Sequence, residues 1–164
     1  MAIVYLALGA NVGNPKANIE QAIELLQSSV DKIQCAPLYA SKAVGYTDQP
    51  DFINTAVSGE TVLDPAELLK FVKEVEEQVG RVERFRWGPR EIDIDIIFYN
   101  DSVVQQDNLV IPHPRFAERD FVLQPICDLD PTFIDPLSKR SVKQLLEALS
   151  SDQRSLLNKV DLDT

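Results

Sequence analysis

The spacing of apolar positions along the chain changes period several times, and each change marks an element. Residues 2–9 are almost unbroken apolar sequence and read as a buried first strand. The turn Gly9-Ala10-Asn11-Val12-Gly13-Asn14-Pro15 follows, with Asn14 suited to cap a helix and Pro15 to occupy its first position. Ile19, Ala22, Ile23 and Leu26 then recur at the spacing of one helical face, a stripe to lay against a sheet. Residues 33–43 and 52–63 read as two further strands, separated by a polar connection too long for a tight hairpin. Asp64-Pro65-Ala66-Glu67 combines a cap, a proline at the first helical position and an acid at the third, so it starts a second helix. Leu68, Val72, Val75 and Val79 form its buried stripe, and Gly80 offers the stop.

A strand rich in isoleucine follows at residues 92–97, completing the order strand, helix, strand, strand, helix, strand. That order is the split βαβ pattern of a ferredoxin-like α+β sandwich, a mainly antiparallel sheet with helices packed on it. Val103-Val104 and Leu109 to Ile111 add short edge strands, residues 114–129 are partly helical, and 141–149 make a short helix. Residues 150–164 carry no readable pattern, and the turn at residues 9–15 reads as a plain connection, lacking the order of a phosphate-binding glycine loop.

Composition narrows the class. With 164 residues and 45% hydrophobic content, the chain suits one compact domain spanning 1–164. A formal charge of −10 and a pI near 4.5 oppose broad binding to nucleic acid or anionic membrane. No apolar run approaches the roughly 20 residues of a membrane span. The N-terminus lacks the basic region and cleavage site of a secretion signal, so the cytoplasm is the expected location. Cys35 and Cys127, distant in sequence and set among apolar or small residues, are expected to be buried and reduced. A monomer is the expected state.

The chemistry concentrates in Arg86-Trp87-Gly88-Pro89-Arg90-Glu91-Ile92-Asp93-Ile94-Asp95-Ile96-Ile97. Alternation along a strand sends Ile92, Ile94 and Ile96 to one face and Asp93 and Asp95 to the other, with the two acid Cα atoms about 6.6 Å apart. Two acids on one strand face repel unless a cation or arginine neutralises them. Magnesium is commonly held by one or two carboxylates together with substrate phosphates, and paired ions lie about 3.5–4 Å apart, so the two side chains can converge on one metal-phosphate site. A solvated face of a half-buried strand would show the same alternation. Arg81, Arg84, Arg86 and Arg90 crowd beside the acids in an otherwise acidic chain, and arginine forks grip phosphate oxygens in pairs.

These residues resemble the signature of the 6-hydroxymethyl-7,8-dihydropterin pyrophosphokinase family: a basic residue, a small residue, Pro-Arg, then Asp-aliphatic-Asp and two aliphatics. Supporting blocks lie in order around it: Gly9-Ala10-Asn11, Asp48-Gln49-Pro50-Asp51-Phe52-Ile53-Asn54, Gly80-Arg81-Val82, Pro112-His113-Pro114 and Arg119-Asp120-Phe121. The resemblance runs from about residue 2 to 130 and implies transfer of the pyrophosphoryl group of ATP to the hydroxymethyl oxygen of the pterin, in folate biosynthesis.

By that resemblance Asp93 and Asp95 hold two Mg2+ ions, and Arg81 and Arg90 stabilise charge on the group in flight. It places the pterin against Val44, Phe52, Asn54 and Phe121, and assigns nucleotide contacts to Glu76, Arg84, Trp87, Arg90, Ile96, Val110, His113 and Arg119. Stacking of a flat heteroaromatic ring on aromatic faces, with an amide at its edge, suits the pterin set. Taken singly, Phe52, Phe121 and Trp87 also suit the core, His113 a rigid turn and Glu76 the solvent face of its helix. Ala10 stands where the family often has serine, and a shorter loop leaves Arg84 and Arg86 as candidates for one contact. Two readings from other classes compete: a ferredoxin-like module that binds a small ligand without turnover, and a metal-dependent nucleotide-sugar transferase.

Overall fold

The computed structural model describes residues 1–43, 48–82 and 88–160. Val44, Arg84, Arg86 and Trp87 lie outside the described residues. The strands are β1 (Ala2–Ala10), β2 (Asp31–Cys35), β3 (Leu38–Ser41), β4 (Phe52–Thr61), β5 (Asp93–Tyr99), β6 (Val104–Gln106), β7 (Leu109–Ile111) and β8 (Leu156–Val160). The helices are α1 (Pro15–Leu26), α2 (Pro65–Val79), α3 (Asp120–Leu129) and α4 (Val142–Glu147).

Helix starts follow local chemistry. Asn14 Oδ1 accepts the Ala17 N–H at 3.2 Å, and Asp64 forms a reciprocal capping box with Glu67 at 2.8 and 3.0 Å. A cap of this kind is worth about 1 kcal/mol. Gly80 ends α2 at φ 112°, a left-handed conformation that costs glycine nothing.

The main sheet runs β5-β1-β4-β3-β8, with β2 also paired to β4, and every pairing is antiparallel. The single strand expected over residues 33–43 is broken at Ala36-Pro37, because proline has no N–H to continue the ladder. The buried Thr55 hydroxyl answers the interruption, lying 3.0 and 3.2 Å from the Ala36 and Pro37 carbonyls. Among the described residues β6 and β7 pair only with each other, as a separate hairpin.

Helices cover both faces. Ile19, Ala22 and Leu26 of α1 and Leu68, Val72 and Val75 of α2 pack with Val4, Leu6, Leu8, Ile92, Ile94 and Ile96. On the opposite face Val122, Leu123 and Ile126 of α3 and Val142 and Leu145 of α4 pack with Tyr5, Ala7, Ala56, Ile97 and Phe98. Register shifts at Tyr5/Leu6 against Ile96 and Phe98, leaving Ile97 out of the pairing. This bulge lets Ile97 and Phe98 both join the α3 side.

The stretch without pattern supplies β8. Leu156–Val160 pairs with β3, and the buried Asp120 at the start of α3 accepts Ser155 N–H, Ser155 Oγ–H and Leu156 N–H at 2.8, 2.8 and 2.9 Å. Cys35 corrects an expectation: it is exposed, because β2 lies at the sheet margin with most of its side chains toward solvent. Cys127 is half-buried, and both thiols are free.

Candidate active site

One end of the sheet opens on the α3 side. There Tyr39, Asn54, Gly9 and Asp93 stand in register across β3, β4, β1 and β5, with Ala56, Ala7 and Asp95 forming the next row. Glycine and alanine on β1, between β4 and β5, leave the floor low between the amide and the carboxylates. Gly9 is required for contact reasons, since a Cβ there would lie 2.9 Å from Asn54 Oδ1. A cavity of about 340 Å³ occupies this space, lined by Phe52, Asn54, Ser41 and Lys42 on one side and Asp93, Asp95, Arg90, His113, Arg115, Arg119 and Phe121 on the other. That volume falls at the lower end of small-ligand sites.

Asn54 is buried and its Nδ2 donates to Ser41 Oγ at 2.6 Å, which fixes the plane of the amide. Phe52 and Phe121 line the same space, and the Arg119 guanidinium lies 5.6 Å from the Phe121 ring centre.

Asp93 and Asp95 behave differently although they share a face. The Asp93 side chain is 41% exposed and its Oδ1 is 3.8 Å from Arg81 Nη2. Burial, then the Asp93 charge, pushes Asp95 up to about 8. Two carboxylates kept so close resist double ionisation, and a cation relieves that cost.

Glu76 is 3% exposed, not on the solvent face of α2. Its Oε2 accepts the Ile94 N–H at 2.7 Å and its Oε1 faces Arg81 Nη1 at 3.4 Å, so it ties α2 to the acid strand and holds the arginine. Burial raises it to about 7, while the Ile94 N–H bond and Arg81 oppose the rise.

His113 Nδ1 accepts the Arg115 N–H at 3.2 Å, so the neutral ring carries its proton on Nε2. Burial and then Arg119 lower it to about 4. Its backbone N–H donates to Ile97 O at 3.3 Å, so the bulged residue anchors this loop.

Of the expected site residues, the fold gathers Phe52, Asn54, Phe121, Arg90, Asp93, Asp95, His113 and Arg119 around one cavity. Arg81 adjoins through Asp93. Glu76, Ile96 and Val110 are not in the lining: Glu76 sits behind β5, Ile96 packs into the core under α1 and α2, and Val110 is on the exposed side of β7. Gly9, Ser41 and Lys42 line the cavity without having been singled out as site residues. For Gly9 the signal was a glycine closing an apolar strand, whereas Ser41 and Lys42 offered none.

Residues 5–131 match the sequence profile of 7,8-dihydro-6-hydroxymethylpterin-pyrophosphokinase (HPPK). The chain belongs to that family. A 2-amino-4-hydroxy-6-hydroxymethyldihydropteridine pyrophosphokinase of Aquifex aeolicus is 44% identical over 144 residues, covering 88% of this chain and 90% of that protein. The Bacillus subtilis protein of the same name is 40% identical over 129 residues, 77% of each chain. A folate synthesis bifunctional protein of Arabidopsis thaliana is 45% identical over 130 residues, but this HPPK chain spans only 26% of its length. The wild-type HPPK-DHPS crystal structure from Plasmodium falciparum shares the fold, with a TM-score of 0.72 at 18% identity, over 89% of this chain and 44% of that one. No helix among the described residues is long and apolar enough to cross a membrane.

Proposed function

We propose that this HPPK transfers the pyrophosphoryl group of ATP to the hydroxymethyl oxygen of 6-hydroxymethyl-7,8-dihydropterin, giving AMP and the pterin diphosphate. The observation that carries the reading is the row Asn54, Gly9, Asp93. Two antiparallel spacings set the Asn54 and Asp93 backbone positions about 10 Å apart, and the glycine between them adds no side chain, which leaves room for a bicyclic ring and its one-carbon arm. Asn54 offers donor and acceptor to the ring edge, and Phe52 and Phe121 flank the ring faces.

The hydroxymethyl oxygen attacks the β-phosphorus, the bond from that phosphorus to the bridging α–β oxygen breaks, AMP leaves with that oxygen and its electron pair, and the hydroxyl proton passes to water. Such a transfer depends on alignment and charge stabilisation more than on a strong base. Arg90 and Arg119 bring positive charge to the cavity, and the Nε2–H of neutral His113 adds a donor. Arg81, held by Glu76 and Asp93, supplies further positive charge beside the acids.

Asp93 and Asp95 fit magnesium. No third His, Cys, Asp or Glu joins them among the described residues, and magnesium leaves its other positions to phosphate oxygens and water. Two Mg2+ ions held there would neutralise the polyphosphate and polarise its phosphoryl oxygens. The proposed working unit is a monomer of one domain.

Incubation with ATP, magnesium and the pterin alcohol tests the reading. AMP and the pterin diphosphate are expected; ADP, or no product, would reject it and favour a nucleotide-sugar transferase or a binding module. Asn54→Ala is expected to weaken pterin binding far more than ATP binding, and equal losses by titration would count against the assigned pterin edge.

A further inference from the structure

The turn after β1 does more than connect. Asn11 is 4% exposed and its amide is fully used. Oδ1 accepts the Arg90 N–H at 2.8 Å, while Nδ2 donates to Gln49 Oε1 at 2.8 Å and to the Pro50 carbonyl at 3.0 Å. The Asn11 and Val12 N–H groups both donate to the Arg90 carbonyl, at 2.9 and 3.2 Å. One planar group therefore grips two segments remote in sequence: Gln49-Pro50, which leads into Phe52, and Arg90, which leads into Asp93.

We propose that Asn11 is a positioning residue that joins the pterin side of the site to the phosphate side and sets how strongly nucleotide and pterin reinforce each other's binding. The proposal rests on the HPPK reading. Asparagine is the short neutral side chain that presents two donors and an acceptor in one plane. A longer glutamine would push the segments apart, and alanine would remove the bonds to the Arg90 N–H, Gln49 and the Pro50 carbonyl in a part-buried place. Since Arg90 and Pro50 share this amide, a backbone shift at Arg90 under the load of a triphosphate reaches Pro50 through the Asn11 hydrogen bonds and Phe52 through the two residues of chain that follow. Asn11 is not in the cavity lining, because its side chain is spent on the two segments.

The test is the affinity of the pterin alcohol, by calorimetry, without and with saturating magnesium and a nonhydrolysable ATP analogue. The ratio of the two dissociation constants is compared among wild type, Asn11→Ala and Asn11→Asp. Aspartate keeps the oxygen for the Arg90 N–H and loses the donors to Gln49 and Pro50, so it separates the two halves if alanine fails to fold. Wild type is expected to bind pterin more tightly with nucleotide present. Both variants are expected to lose most of that gain, by about tenfold, with Asn11→Asp retaining nucleotide affinity. A wild-type ratio of one, or an unchanged ratio in a folded variant with a lowered melting temperature, overturns the proposal and leaves Asn11 a stability residue only. Failure of wild type to bind either ligand would instead sink the HPPK reading.

Discussion

Phe52 and Asn54 reach the cavity from β4, a ten-residue strand paired on both sides, whereas Arg90 reaches it from a segment tied by hydrogen bonds to Asn11 and Val12. The sheet wall holds side chains by ladder and core; moving Asn54 means disturbing β1 or β3. The loop wall holds charge by local closure, with Arg90 Nη1 donating to the Gly88 and Pro89 carbonyls at 3.0 Å each. Under the proposed assignment, a flat ring of fixed shape is served by the rigid wall. A triphosphate whose charge is redistributed during transfer is served by groups able to adjust.

Replacing an acid should break this division most severely. Asp95→Asn is expected to cut turnover by about a thousandfold or more, the scale of losing a principal electrostatic group. In chelator its melting temperature should equal or exceed wild type, since a carboxylate held up at about 8 by burial and Asp93 is costly without a cation. Added magnesium and nucleotide should raise the wild-type melting temperature and leave the variant unmoved; a variant that melts far lower in chelator would contradict this.

Gly9→Ala attacks the rigid wall. The new methyl meets Asn54 Oδ1 at 2.9 Å, so the amide must turn and lose its bond to Ser41. Pterin affinity should fall by about 10- to 100-fold, the worth of one or two buried hydrogen bonds, with ATP affinity retained. Equal loss of both ligands by titration would show that the walls are not separate. On the other wall, Arg90→Lys keeps the charge but not the fork, and turnover should fall by about tenfold with pterin affinity unchanged.

The smallest effect concerns His113. As the chain's single histidine it gives one unambiguous set of imidazole resonances, expected to titrate near pH 4. Its folded value lies below the ordinary 6.5, so its contribution to stability is complete above about 6.5 and is lost as pH falls toward 4. Turnover near neutrality should not depend on its protonation, and a midpoint near 6.5 would remove His113 from the buried side of the cavity.

Local chemistry was legible. Asn14, Asp64 and Gly80 mark helix ends through bonds within a few residues, and the alternation at residues 92–97 sorts acids from isoleucines because a strand obliges it. What escaped depends on partners far along the chain. Asn11 looked like a loop residue because its bonds go to Gln49, Pro50 and Arg90. β8 has mostly exposed side chains and no periodic apolar face; it is a strand because β3 needs an outer neighbour and Asp120 captures Ser155. The Ile97 bulge and the exposure of Cys35 likewise arise from pairing, not from the residues themselves.

The late position of β8 bears on biosynthesis. Until Leu156–Val160 has emerged from the ribosome, the outer margin of β3 presents unpaired amides and carbonyls one strand away from Phe52 and Asn54. Strand β3 is made more than a hundred residues before β8, and its margin stays open to wrong strand partners until that outer neighbour arrives.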